Sequence, residues 1–251
     1  MSGAGESEGY LLGGRVRYAQ PRQGFRSGIE PVLLAAAVPV QAHEAVIEAG
    51  CGAGAALLCL AARVGGMRGC GVERDPALAA LAARNIAANG WEGRLFIVAG
   101  DIAALLSLKG LPPEESVDHV CANPPWHDPA ATPSPDSARR CAKIAPADLV
   151  ARWVAALSAR LRRGGTMTLI LPASQMTRAL AAFAAAGLGD AALMPLWPRA
   201  GKPARLILVQ ARKGISRGET LLPGLVLHDA GGGFTEAAEA VLRHGAALLL
   251  R

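Results

Sequence analysis

From residue 44 onward the chain alternates two hydrophobic patterns. Short apolar or β-branched runs occur at Glu44–Glu48, Gly69–Glu73, Leu95–Ala99, Val117–Ala122 and Thr166–Leu171. Between them lie stretches with helical spacing: Ala55–Val64, Pro76–Asn89, Ile102–Leu108 and Pro146–Arg163. In the last of these, Leu149, Trp153, Leu157 and Leu161 share one stripe, and Gly164-Gly165 reads as its stop. Strands that alternate with helix-length segments predict βαβ units, a mostly parallel sheet and helices on both faces. A helix at Ser174–Ala186 follows, and then two apolar runs, Ala191–Trp197 and Ala204–Ala211. The six residues between those runs are too few for a crossover helix, so the pair is expected as an antiparallel hairpin closing a seven-stranded sheet.

The flanks are less regular. Residues 1–43 predict a hairpin over Tyr10–Gln20 and a helix over Pro31–Val38, whose start suits Glu30 and Pro31. Residues 1–9, small, polar and terminal, are expected to be disordered. Residues 212–251 form a tail with a strand at Leu221–Leu227 and a weak helix at Thr235–Arg243. The whole reads as one domain with two extensions: 1–43, a core at 44–211, and the tail.

Composition narrows the class. With 51% hydrophobic and 18% charged residues in 251, the chain is not intrinsically disordered. Much of the apolar share is alanine, and no stretch of about 18 residues lacks charges, Gly and Pro, so no membrane span is expected. The opening MSGAGESEGY has neither a basic n-region nor an apolar h-region, so no signal peptide is expected. The five cysteines, Cys51, Cys59, Cys70, Cys121 and Cys141, form no CxxC pair, and the histidines show no metal spacing. Reduced thiols in a cytoplasmic protein without a metal are the expectation. The net charge of +6 is compatible with a polyanionic partner without requiring one.

The chemistry concentrates after three strands. Glu48-Ala-Gly50-Cys-Gly52-Ala-Gly54 ends the first βα strand and opens a helix, where glycines let a ligand approach the backbone and free N–H groups gather. Glu73 stands 19 residues past Gly54 at the end of the next strand, placed to accept both hydroxyls of a ribose. These residues alone fit a nicotinamide dinucleotide as well as S-adenosylmethionine (SAM). Glu48 favours SAM, since a carboxylate beside a pyrophosphate is repulsive. Asp101, after the third strand, is placed to read an adenine amino group and equally to cap the following helix.

Asn123-Pro124-Pro125-Trp126 follows the fourth strand. The prolines remove two N–H donors, leaving acceptors only. The Asn123 and Pro124 carbonyls can each take one N–H of an exocyclic amine and turn its lone pair toward an electrophile, with Trp126 stacking on a planar base or amide. Any planar amine fits this pattern: an adenine, another base, or a protein glutamine amide.

In this order the pieces resemble class I, Rossmann-type SAM-dependent methyltransferases of the amino-methylating branch. The stretch Tyr18-x-Gln20-Pro-x-Gln23-Gly24-Phe25-Arg26-Ser27-Gly28 further resembles bacterial tRNA adenine-N6 methyltransferases that modify the purine 3′ of the anticodon in valine tRNA. So do Ala204–Gly214 and Leu225–Asp229. Trp126 stands where that family usually has Tyr or Phe, and Glu30 where it often has Asp. The resemblance implies that Glu48, Gly50, Gly52 and Gly54 line the methionine part of SAM. It implies that Glu73 holds the ribose, Asp101 the adenine, and Arg26, Ser27 and Gly28 close over the cofactor. Asn123, Pro124, Pro125 and Trp126 would hold the target, with tRNA as partner. A non-catalytic SAM-binding module and, at a further remove, a nicotinamide oxidoreductase are the alternatives. The basic groups Arg15/Arg17/Arg22, Arg139/Arg140/Lys143, Arg199/Lys202/Arg205 and Arg212/Lys213/Arg217 read equally as phosphate contacts or as solvated surface.

Overall fold

A computed structural model describes residues 5–23, 27–102, 104, 108–125 and 148–251 of the chain. Its centre is the expected parallel sheet. The strands β3 (Ala45–Ala49), β4 (Arg68–Glu73), β5 (Leu95–Ala99), β6 (Val117–Ala122) and β7 (Leu161–Pro172) run parallel in the spatial order β7-β6-β3-β4-β5. The strands β8 (Leu188–Arg199) and β9 (Leu206–Lys213) form the antiparallel hairpin, with β9 inserted between β7 and β8. The helices α1 (Glu30–Ala37), α2 (Ala55–Arg63), α3 (Pro76–Ala88), α4 (Leu149–Arg160), α5 (Met176–Ala185) and α6 (Glu236–Leu242) complete the α/β layers.

Two buried apolar clusters lie in the layers. One gathers α1, α2 and the flanking extensions around Leu33, Leu57, Leu58 and Met67. The other gathers α4 and α5 around Trp153, Leu157, Phe183 and Ile207. Helix α2 shows why the sequence folds this way: Ala55 through Ala61 are all buried, so its small residues let it sit close on the sheet.

Four expectations change. The N-terminal hairpin is longer: β1 (Glu6–Leu11) pairs with β2 (Val16–Pro21), so residues 6–9 are ordered in a ladder and not disordered. The tail strand divides into β10 (Thr220–Leu221) and β11 (Leu225–His228), both parallel to β8, which brings the sheet to nine strands. Pro223 has no N–H for a ladder, and a Cβ at Gly224 would lie 2.3 Å from the Pro195 carbonyl oxygen, so the strand breaks there. Gly164-Gly165 lies inside β7, not at a helix end. The register shifts between Val117 and His119, and a Cβ on Gly165 would meet the Asp118 carbonyl at 2.7 Å. Helix α4 already ends at Arg160, where buried Leu161 enters the sheet. The helix expected at Ile102–Leu108 lies largely outside the described residues.

Candidate active site

Parallel strands deliver their carboxyl ends to one edge of the sheet. At the β3/β6 boundary the chain order reverses, the position at which open α/β sheets take their ligands. β3 pairs with β6 through Ala49 opposite Ala122, so Gly50 and Asn123 leave the sheet side by side. On its other flank β3 pairs with β4, and Gly50 and Cys51 both donate N–H bonds to the Val72 carbonyl, at 2.8 and 3.1 Å. The glycine loop is thereby clamped to the neighbouring strand. Gly50, Gly52 and Gly54 have φ of 64°, 55° and 89°. Among the described residues nothing lies within 4 Å of a Cβ added at Gly52; at Gly50 that Cβ would come within 2.6 Å of the Trp153 ring. Gly50 therefore makes room for the protein's own core, and Gly52 keeps an open approach to backbone.

Glu73 ends β4 and is 8% exposed. Its Oε2 accepts the Gly52 N–H at 2.9 Å and its Oε1 the Asp75 N–H at 2.9 Å. Two N–H donors fix the carboxylate against the glycine loop and leave further lone pairs on both oxygens. Asp101 follows β5 as an exposed residue on the same edge, with Gly100 bonded to the Glu73 carbonyl at 2.8 Å.

Glu48 is 4% exposed, and its Oε2 accepts the Leu57 N–H at 2.8 Å. It caps α2 from inside the sheet and takes an amide that a bound phosphate would otherwise use. Burial first, opposed by the Leu57 hydrogen bond and supported by the Glu73 charge, pushes its carboxyl up to about 8. A neutral Glu48 does not repel a pyrophosphate, so the charge argument against a dinucleotide gives way to an argument from the occupied amide.

The N-terminal extension is fastened over this loop by residues the sequence did not single out. Asn85, on the buried face of α3, accepts the Ala19 N–H at 2.9 Å and donates to the Ala19 carbonyl at 2.8 Å and the Ala53 carbonyl at 2.9 Å. One turn on, Asn89 exchanges a similar pair with Arg17, at 3.0 and 2.8 Å. The two amides act as a strand for β2. The available signal was an asparagine among alanines and leucines on an apolar helical stripe, a poor helix former in a position that burial makes costly. From β2, the Tyr18 hydroxyl meets Ser27 Oγ at 2.7 Å and Gln20 Oε1 accepts the Ser27 N–H at 3.1 Å. Burial first, with Glu48 adding to it, pushes the Tyr18 phenol up to about 12.

Asn123 is half-buried, Pro124 buried and Pro125 half-buried. Among the described residues none hydrogen-bonds the Asn123 amide. The structure thus brings together Glu48, Gly50, Gly52, Gly54, Glu73, Asp101, Asn123, Pro124 and Pro125 on one edge, with Ser27 and Gly28 joined to it through β2. Arg26 and Trp126 lie outside the described residues, as do His127, Cys141 and the group Arg139/Arg140/Lys143. The remaining four cysteines are buried and free. Among the described residues no His/Cys/Asp/Glu group could hold a metal, and no helix is long and apolar enough to cross a membrane.

These features suit SAM: a glycine loop open at Gly52, an anchored acid at the β4 tip, and a carboxyl at Glu48 able to ionise toward a cation. A family model described as "Methyltransferase domain" matches residues 46–147. The chain is 32% identical over 155 residues to the tRNA1(Val) (adenine(37)-N6)-methyltransferase of Actinobacillus succinogenes, covering 61% of this chain and 64% of that relative. To the protein of the same name from Aeromonas salmonicida it is 28% identical over 221 residues, covering 86% of this chain and 87% of the other. Among solved structures, a predicted O-methyltransferase from Agrobacterium tumefaciens superposes with a TM-score of 0.71 at 24% identity, over 88% of this chain and 98% of that one. A precorrin-6y C5,15-methyltransferase from Geobacter metallireducens gives 0.54 at 13%, over 78% and 94%. Those two likenesses concern the fold. The family model over residues 46–147, the sequence relatives and the fold all liken the chain to methyltransferases.

Proposed function

We propose that the protein methylates the N6 amine of an adenine in tRNA, in the cytoplasm. One observation carries the reading: Asn123-Pro124 leaves β6 directly beside the glycine loop of β3, with its amide uncommitted among the described residues. When bound, SAM supplies an electrophilic methyl group carried on a sulfonium. Gly50, Gly52 and Gly54 give it backbone to lie against, Glu73 accepts its ribose hydroxyls, and Asp101 stands where its adenine amine would be read. Glu48 offers its carboxyl to the cationic end. The Asn123 side-chain carbonyl and the Pro124 backbone carbonyl accept the two N–H groups of the target amine. Both acceptors drain its conjugation with the ring and direct the lone pair toward the glycine loop. The nitrogen becomes acidic once alkylated, so its proton leaves to water and no general base of tuned pKa is needed.

The acceptor pair alone serves any planar amine. The adenine and tRNA are supported by the names of the relatives, which cover most of the chain at 28% identity. The test is methyl transfer from labelled SAM to unmodified tRNA, followed by nucleoside mass spectrometry. N6-methyladenosine is expected; label in protein, or in another nucleoside only, would contradict the reading.

A further inference from the structure

The carboxyl edge of the sheet is divided by charge at the tip of β6. On the β3-β4-β5 side stand Glu48, Glu73, Asp75 and Asp101, with Arg74 among them, a side suited to a cationic cofactor. The other side is basic. β9 runs antiparallel to β7, with Leu206 opposite Pro172, so the turn from β8 to β9 projects from the same edge as Asn123. That turn carries Arg199, Lys202 and Arg205, all exposed. Arg178, exposed in the first turn of α5, follows the carboxyl end of β7 and donates to Gln175 Oε1 at 3.4 Å.

The turn is held. Lys202 N–H donates to the Arg199 carbonyl at 3.2 Å, and Ala173 N–H to the Arg205 carbonyl at 2.9 Å. Pro198 and Pro203 stiffen it from either side. None of the three side chains has an ion-pair partner among the described residues. The acid nearest in the register is Asp229, just past the β11 residue that pairs with Arg199; its Oδ1 accepts the Gly233 N–H at 3.0 Å.

Other bases are spent on the protein itself. Lys213 meets Glu115 at 3.0 Å and the Leu161 carbonyl at 2.8 Å, and Arg162 meets Asp118 at 2.6 Å. Arg251 is paired with Asp190, and Arg84 with Glu6. Arg15 donates to the His244 carbonyl at 3.2 Å and Arg22 to the Glu6 carbonyl at 2.7 Å. The group Arg212/Lys213/Arg217 also lies at the amino edge, away from Asn123, because β9 carries it to the opposite end of the sheet.

The geometry points to the β8–β9 turn, with Arg178, as the surface that grips the RNA phosphates flanking the target base. This rests on the proposed RNA substrate and says where that substrate lies: across β7, β9 and β8, not over α3 or the N-terminal hairpin. A pre-formed loop of unpaired cations on the same edge as Asn123, with β7 between them, pays little ordering entropy to meet a backbone of regularly spaced anions.

Two full-length variants with equal charge loss test it. One is Arg199→Ala/Lys202→Ala/Arg205→Ala. The other, at the amino edge, is Arg68→Ala/Arg163→Ala/Arg217→Ala. Binding of tRNA is measured across a salt series, beside KM for tRNA and Kd for SAM. The turn variant should raise KM for tRNA about 10-fold or more and lower the log–log salt slope by about 2–3. Its Kd for SAM should stay unchanged, and the amino-edge variant should match wild type. Equal salt slopes and KM in the turn variant and wild type would overturn the assignment, as would equal losses in both variants. A wild-type protein that neither binds nor methylates tRNA would instead remove the RNA reading beneath it.

Discussion

Asn85 and Ala19 exchange two hydrogen bonds across the gap between α3 and β2, and the same Asn85 amide reaches the Ala53 carbonyl in the glycine loop. A single 2%-exposed side chain thus ties the N-terminal extension to the glycine loop. Replacing Asn85 with Leu leaves the Ala19 and Ala53 groups without partners. Buried unpaired groups cost about 1–3 kcal/mol each, so a loss of roughly 2–4 kcal/mol is expected in urea unfolding. Hydrogen exchange at Ala19 should accelerate more than exchange in β6. Asn85→Asp, which keeps the acceptor and loses the donors, should fall between the two.

Glu48 makes stability depend on pH in an unusual direction. Its folded carboxyl is raised to about 8 from 4.5. Between those values the unfolded chain has released the proton while the folded one still holds it. The folded state therefore binds more protons, and this group's contribution falls as pH rises from about 4.5 to about 8. Glu48→Gln keeps an acceptor for Leu57 and cannot ionise. It should flatten the stability profile across that window and be more stable than wild type at pH 8, by on the order of a few kcal/mol. Urea melts of both proteins at pH 5, 6.5 and 8 check this; parallel profiles would assign Glu48 an ordinary acidity.

Glu73 accepts from Gly52 and Asp75 before any ligand arrives. Its removal disturbs the loop and deletes the proposed ribose acceptor together. Glu73→Ala should weaken SAM by about 10- to 100-fold in titration calorimetry, the scale of about 1.5–3 kcal/mol for a charged hydrogen bond. Glu73→Gln, which retains one acceptor oxygen, should lose less. An unchanged Kd in both would move the ribose elsewhere.

The core was legible because each signal was local. β-branched runs and helical stripes marked β3 to β9, and Glu48, the glycines, Glu73 and Asn123 stand at or next to the carboxyl ends of those strands. What stayed hidden depends on pairing. That Asn85 and Asn89 serve as a strand for β2 follows from where α3 docks. That Arg199 and Arg212, borne on adjacent strands, lie at opposite edges follows from the direction of β9. Gly164-Gly165 looked like a helix stop because a bulge and a stop use the same residue, and only the register against β6 separates them. Likewise β1 starts at Glu6 because β2 offers it a ladder, which a polar stretch does not announce.

In the proposed reaction Asn123 is the group that presents the amine. The most direct measurement compares single-turnover methyl transfer to tRNA by wild type and Asn123→Ala at saturating SAM, with Kd for SAM determined on the same preparations. A rate lower by about 100-fold or more, with Kd for SAM within about twofold of wild type, is the predicted result. A variant that methylates at the wild-type rate would contradict it.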